Sequence, residues 1–371
     1  ADYYLHSEDR CGRAYHFGSQ GRGNVYSNYG SHSNRLVPVY TFGTKIDLGS
    51  VTGANSSYRD PERLKAIYGY LPTHTVNATA EYCDQSELYR VQRDAVKRGV
   101  KHLFVVWFDG MDWPTTQAAA IAKTGRVYTS GKGSGLIFQD YTKGSPQYGY
   151  AVTSPTHTQS VRNVDTQTVV VDAKASDPGG YDPEIAGPNP WTTGPLYPQA
   201  LGYFRGGLSA AERNAIARLG RVAHAVTDSA PSAAEFASGV KSYNDSINVA
   251  PDGRTVPTLF NQIQADLGWK VGTVTSVPFC HASPAAMYAH NVDRDDYQDL
   301  AREMVGEESI VQKTRRGARL PGLDVVIGTG YGIESSAEKL RKSQGENAET
   351  GNVILAPSTR KAIDVANGGK Y

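Results

Sequence analysis

Pro257-Thr-Leu-Phe-Asn-Gln-Ile-Gln-Ala-Asp-Leu-Gly-Trp-Lys-Val-Gly-Thr-Val-Thr275 carries the alternation that decides the fold class. Its apolar spacing predicts a helix over 257–267, and the run that follows predicts a strand over 270–275. The same alternation extends on both sides. Helices are expected over 209–219, 232–241, 296–304 and 335–343, and strands over 324–328 and 352–355. Helices and strands that alternate in this way indicate an α/β protein with a largely parallel sheet.

Upstream the pattern changes. Residues 1–84 are rich in Gly, Ser, Asn and Tyr and show little periodicity, apart from short strand-like pieces such as 36–42. A helix is expected over 85–97, where Ser86 can cap it and Leu88, Val91 and Ala95 fall at helical spacing. Residues 102–108 read as a buried strand, and 113–122 as a helix with Pro114 in its first turn. From 125 to 207 the chain is turn-rich, with Asp177-Pro-Gly-Gly180 and Gly187-Pro-Asn-Pro190. A stretch of that length without clear elements is usually functional or disordered. The organisation expected is an irregular N-terminal extension over 1–97 and a domain over 98–371, interrupted by an insertion at about 126–207.

Composition excludes several classes. The 371 residues are 39% hydrophobic, enough for a sizeable core. Lys plus Arg is 38 and Asp plus Glu 37, a balance that argues against nucleic acid or an anionic membrane as the main partner. The apolar run at 103–108 falls far short of the ~20 residues that span a bilayer. The sequence starts at Ala1 without an apolar leader, so either a leader has been removed or the sequence starts mid-chain. Three cysteines, Cys11, Cys83 and Cys280, cannot all pair and form no C-x-x-C; a Cys11–Cys83 bridge stays open in an exported protein. Abundant Gly (39) and Tyr (23) fit a loop-rich, exported chain.

Three segments carry chemistry. In Val226-Thr-Asp-Ser-Ala-Pro-Ser-Ala-Ala-Glu-Phe-Ala-Ser-Gly-Val-Lys241, Ser229 lies just before a helix. Unpaired N–H groups and the positive end of the helix dipole there favour an anion. A serine hydroxyl needs a base or a metal to become a nucleophile, and no G-x-S-x-G elbow surrounds this one. Read alone, Ser229 is better explained as an N-cap. Asp109, at the end of the 102–108 run, stands where ligands bind in open α/β sheets and could hold a cation; alone it is equally a turn residue. His281 and Ser283 follow the strand at 270–275 and lie two apart, so both could face one polar site. Arg294 offers the planar fork that grips two phosphate oxygens. Taken singly, His281 could be structural and Arg294 a surface charge.

Together these segments resemble the alkaline phosphatases in order and in flanking residues. Asp109-Gly-Met111 resembles that family's first metal-binding strand end, and Thr227-Asp-Ser-Ala230 with Gly239-Val-Lys241 its nucleophile helix. His281-Ala-Ser-Pro-Ala285, Ala289-His290 and Arg294 resemble its magnesium and phosphate segment, and Asp324-Val-Val-Ile-Gly-Thr-Gly330 the glycine-ended strand that follows. The resemblance runs from about 100 to 330.

It implies a three-layer sandwich around a largely parallel sheet and hydrolysis of small-molecule phosphate monoesters. It also implies two Zn²⁺ and one Mg²⁺, secretion or a periplasmic location, and a homodimer. By position, Ser229 would attack phosphorus and touch metal, and Arg294 would clamp the phosphate. Asp109 would bridge one zinc and the magnesium, Ser283 would ligate magnesium, and His281 would act beside it through a water. Two zinc ions can activate a serine and then a water. Two departures stand out: Asp112 and Trp113 occupy positions where the family has small residues, and the insertion between Asp109 and Ser229 is long enough to form a cap. The family's remaining zinc ligands follow the glycine-ended strand, yet no histidine follows His290. The chain is therefore expected to be the N-terminal and central part of such an enzyme, incomplete at its C-terminus and inactive alone. A phosphodiesterase or sulfatase of the same superfamily, or a non-catalytic phosphate-binding protein, are the alternatives.

Overall fold

The structure, a computed structural model, describes residues 36–158, 160–171, 178–181, 183, 225, 227–315, 317–330 and 332–371. These fall into two compact units. The first takes residues up to 158 and 177–227, the second 159–176 and 228–371. Cys11 and the helix expected over 209–219 lie outside the described residues.

The first unit is built on a three-stranded sheet ordered β1-β3-β2: β1 (Leu36–Thr41), β2 (Cys83–Asp84) and β3 (Gln147–Val152). β1 runs antiparallel to β3, with Leu36 opposite Val152, while β2 runs parallel to it. Three helices flank the sheet sequence. α1 (Pro61–Tyr68) starts at Asp60, whose carboxylate accepts from Glu62 N and Arg63 N, and stops at Gly69 in the left-handed region. α2 (Glu87–Lys97) buries Leu88, Val91 and Ala95, the residues whose spacing predicts it. α3 (Trp113–Thr124) is capped by Asp112, which accepts from Thr115 N at 2.9 Å, so Asp112 serves the helix end. A short α4 (Ile137–Asp140) precedes β3. The core gathers Leu36, Leu64, Val152 and Trp113 with a set of tyrosines. Among these, Tyr58 donates to buried Asp84 at 2.8 Å and shares a 2.9 Å bond with Tyr68. Burial, then the Asp84 charge, holds the Tyr58 phenol well above its ordinary range, so it stays a donor. The part of the N-terminal region that is described thus holds more regular structure than its composition suggests.

The expectation for 102–108 is corrected. The segment forms no strand among the described residues. Phe104 and Val106 are 87% and 75% exposed rather than buried. A short apolar run does not say whether a neighbouring strand is there to pair with it.

The second unit contains a hairpin, β4 (Val161–Asn163) with β5 (Thr168–Val170). Then come α5 (Ser229–Ser238), α6 (Leu259–Leu267), β6 (Gly272–Pro278), α7 (Ala282–Ala286), α8 (Tyr297–Val305) and α9 (Ile310–Arg315). β7 (Val325–Thr329), β8 (Glu334–Ser335), α10 (Ala337–Gln344), β9 (Gly351–Asn352) and α11 (Pro357–Ile363) complete it. β6 and β7 pair in parallel, Gly272 opposite Val325 and Val274 opposite Ile327, after a helical crossover of the kind parallel strands require. This α/β unit carries only small sheets among its described residues, and Val274 and Ile327 are 71% and 57% exposed. The crossover depends on two glycines in the left-handed region. A Cβ on Gly306 would come within 2.7 Å of Pro321 O, and one on Gly322 within 2.6 Å of Gly306 N.

α5 is buried on almost every side, because Ala230, Ala233, Ala234 and Ala237 give it a thin profile against the equally small-residued α7. At its far end Glu235 and Lys241 form a 2.9 Å ion pair with no exposed side-chain surface. No helix among the described residues is long and apolar enough to cross a membrane.

Candidate functional site

Ser229 is the first residue of α5, and Asp228 is its N-cap with extended backbone. Ser229 is therefore not the cap. The Asp228 side chain makes no capping bond to the helix. It turns outward instead, where one oxygen accepts from Arg294 Nη1 and the other from the backbone N–H of Asp245 at 2.7 Å. Ser232 closes the helix start, its N and its hydroxyl both donating to Asp228 O. The first-turn N–H groups of Ser229 and Ala230 lie at the positive end of the helix dipole, and Pro231 has none to offer.

Arg294 reaches this point from the loop before α8. Its Nη1 donates to Ser229 Oγ at 2.9 Å as well as to Asp228. Its own N–H donates to Asp245 O at 2.8 Å. Burial pulls the guanidinium pKa down, but the Asp228 charge and hydrogen bond outweigh it, so the net shift is upward and the cation is secure. Side chain and main chain of Arg294 are thus both fixed, and the fork lies against the serine hydroxyl.

His281 caps α7, and its ring stacks on Tyr297 with centroids 5.1 Å apart and planes 28° apart. Tyr297 in turn donates to Asp295 at 2.9 Å. Burial lowers the His281 pKa, the positive Arg294 lowers it further, and Asp295 opposes both, which favours the neutral ring. Ser283 is half-buried in the first turn of α7. Asp109 belongs to the first unit, in an exposed turn where Gly110 is left-handed and Met111 N donates to Phe108 O at 3.2 Å. Among the described residues no three His, Cys, Asp or Glu side chains gather into a set able to hold a metal ion.

Sequence reasoning assigned no role to Asp228, although it lies inside the quoted motif beside Ser229. It also missed Asp245 and Arg162. Asp245 sits at φ 71° and bonds through its backbone to both Asp228 and Arg294. Arg162 pairs with Asp245 at 3.0 Å and with Asp293 at 2.8 Å. The motif named Asp228 without its partners, and nothing local in the sequence marks the other two.

Comparison with known proteins falls on the same region. Residues 211–352 match the alkaline phosphatase family model. Alkaline phosphatase 4 of Bacillus subtilis is 31% identical over 105 residues, which cover 28% of this chain and 21% of that protein. Streptomycin-6-phosphate phosphatase of Streptomyces griseus is 36% identical over 114 residues, 28% of this chain and 24% of that protein. A TAB5 alkaline phosphatase mutant, solved with Mg bound in its M3 site, is 29% identical with a TM-score of 0.21, covering 25% of this chain and 29% of that one. Ser229, His281, Ser283 and Arg294 all lie within the segment that matches this family model. Asp109 lies outside the matched segment. The matched part spans between a fifth and a quarter of the length of these curated relatives.

Proposed function

We propose that Ser229 and Arg294 form the phosphate-binding and nucleophilic pair of a phosphomonoesterase that works through a phosphoserine. The observation that carries this reading is the 2.9 Å hydrogen bond from Arg294 Nη1 to Ser229 Oγ at the N-terminus of a buried helix. A hydroxyl so placed stands next to a bidentate cation and first-turn N–H donors, the groups a phosphoryl group's non-bridging oxygens need. Phosphoryl transfer asks mainly for positioning and charge stabilisation. In the first half-reaction the Ser229 Oγ–P bond forms as the ester O–P bond breaks; the serine loses a proton and the leaving alcohol gains one. In the second, water cleaves the phosphoserine and releases inorganic phosphate. Asp228 keeps the guanidinium charged and aimed throughout.

The reading includes two Zn²⁺ and one Mg²⁺, with Ser229 and Asp109 as zinc ligands, Asp109 and Ser283 at magnesium, and His281 beside it through a water. The ions would supply positive charge that lowers the proton affinity of the serine hydroxyl. Serine hydroxyls and a carboxylate suit Mg²⁺, a hard cation; the His-rich set that zinc prefers is not assembled among the described residues, so the steps above are written for the chain's own groups. A small parallel pair, β6–β7, is on this reading part of the central sheet of a three-layer sandwich. The test is to compare a phosphate monoester, a phosphate diester and a sulfate ester as substrates of the full-length protein in zinc and magnesium. Monoester turnover that exceeds the other two, and that Ser229→Ala abolishes, is expected. A preference for the diester or the sulfate overturns the assignment.

A further inference from the structure

We infer that Arg162, on the β4–β5 hairpin, is a positioning residue for Arg294 and Asp228, acting through Asp245 and Asp293. The inference rests on the reading of Arg294 as the phosphate-binding group.

The Arg162 guanidinium spans two loops. Its Nη2 pairs with Asp245 Oδ2 at 3.0 Å, its Nε with Asp293 Oδ2 at 2.8 Å, and its Nη1 donates to Ser160 Oγ at 2.9 Å. Both carboxylates belong to residues that hold the site. Asp293 immediately precedes Arg294. Asp245 donates its N–H to the Asp228 carboxylate and receives the N–H of Arg294 on its carbonyl, so one residue's backbone fixes both members of the Asp228–Arg294 pair. That backbone is left-handed, φ 71°, which costs a non-glycine residue energy unless its surroundings hold it there. Arg162 is the group that anchors its side chain.

Charge reinforces the geometry. Asp228, Asp245 and Asp293 are three carboxylates around Arg294 and Arg162. Burial, and next the Asp228 charge, pushes Asp245 up to about 6, while Arg162 and Arg294 pull it back. With Arg162 absent, Asp245 would be left to compete with Ser229 for the Arg294 guanidinium. Arg162 satisfies the Asp245 and Asp293 carboxylates and leaves Arg294 to Ser229 and Asp228. The hairpin is itself pinned to the same loop: Gln167 Nε2 donates to Asn291 Oδ1 at 3.1 Å, and Val292 N donates to Gln167 Oε1 at 3.1 Å. A segment inside the turn-rich insertion thereby becomes part of the support of the site.

The experiment uses the 371-residue chain, with inorganic phosphate as the probe and calorimetry as the readout, in a cycle of Arg162→Ala, Arg294→Ala and the double variant. A second, ligand-free readout is the side-chain Nε–H resonance of Arg294. Misplacing a binding group indirectly should weaken phosphate binding by about tenfold, less than deleting Arg294 itself. The loss should vanish in the Arg294→Ala background, because Arg162 has nothing left to position, and the Arg294 resonance should shift in Arg162→Ala. Additive losses would mean that Arg162 contacts phosphate directly and would overturn the inference, as would an unchanged Arg294 resonance. If Arg162→Ala does not fold, Arg162→Lys serves: one ammonium cannot bridge both carboxylates, so a smaller loss is expected, and none contradicts the inference. If the wild-type chain binds no phosphate, the reading of Arg294 fails, and the resonance alone still decides whether Arg162 positions it.

Discussion

Arg294 Nη1 donates to Ser229 Oγ at 2.9 Å across 65 residues of sequence, and the same nitrogen holds the Asp228 carboxylate. One cation thus ties the helix cap, the first helical residue and the loop before α8 together. On the proposed reading, Arg294→Ala removes a charge-assisted contact to phosphate worth roughly 1.5–3 kcal/mol, so phosphate affinity should fall by about ten- to a hundredfold. Arg294→Lys keeps the charge but not the fork and should lose less. Titration calorimetry with inorganic phosphate checks both, and unaltered affinity in Arg294→Ala would contradict the assignment.

The buried Glu235–Lys241 pair should behave differently from a surface ion pair. Neither side chain is exposed, and the pair is 2.9 Å apart. Lys241→Met leaves a buried carboxylate without its cation and should cost about 3–5 kcal/mol, whereas Glu235→Leu together with Lys241→Met should recover most of that loss. Denaturant unfolding of the three variants measures it. Wild-type stability in Lys241→Met would show that the carboxylate is compensated by other groups.

Asp245 gives a pH dependence with a definite sign. Its pKa is raised from 3.8 to about 6, chiefly by burial and then by the Asp228 charge. A carboxyl raised on folding contributes stability below its unfolded pKa and loses it as pH rises through the folded value. Wild-type protein should therefore lose stability relative to Asp245→Asn as pH climbs from about 4 to about 7. Paired melting curves across that range cancel the other carboxylates. A difference that stays flat, or that runs the other way, would show that Asp245 is ionised throughout.

Much of this was legible in the sequence, and the remainder fails for identifiable reasons. The helices expected over 257–267 and 296–304 and the strand over 270–275 appear as Leu259–Leu267, Tyr297–Val305 and Gly272–Pro278, because apolar spacing reports them directly. The helix Pro61–Tyr68 was missed although Asp60, Pro61 and Gly69 mark its ends; only Leu64 and Tyr68 are buried along it, too few to set a period. The run at 102–108 was read as a buried strand and is neither, because a short apolar run does not say whether a neighbour will pair with or cover it. Ser229 and Arg294 were readable from motifs and come together; His281 is the N-cap residue of α7 and Ser283 lies in its first turn. Asp245 and Arg162 were not readable. A left-handed backbone at an aspartate and an ion pair between distant loops leave no local pattern.

The account stands most directly on the chemistry of Ser229. Full-length protein, supplied with zinc and magnesium, is mixed with a phosphate monoester labelled on phosphorus, quenched in acid within the first turnovers and digested for mass spectrometry. The account predicts label on the peptide that contains Ser229, at that residue, and none in Ser229→Ala, which should also lose turnover. Label on a different residue, together with a Ser229→Ala protein of undiminished activity, would contradict it.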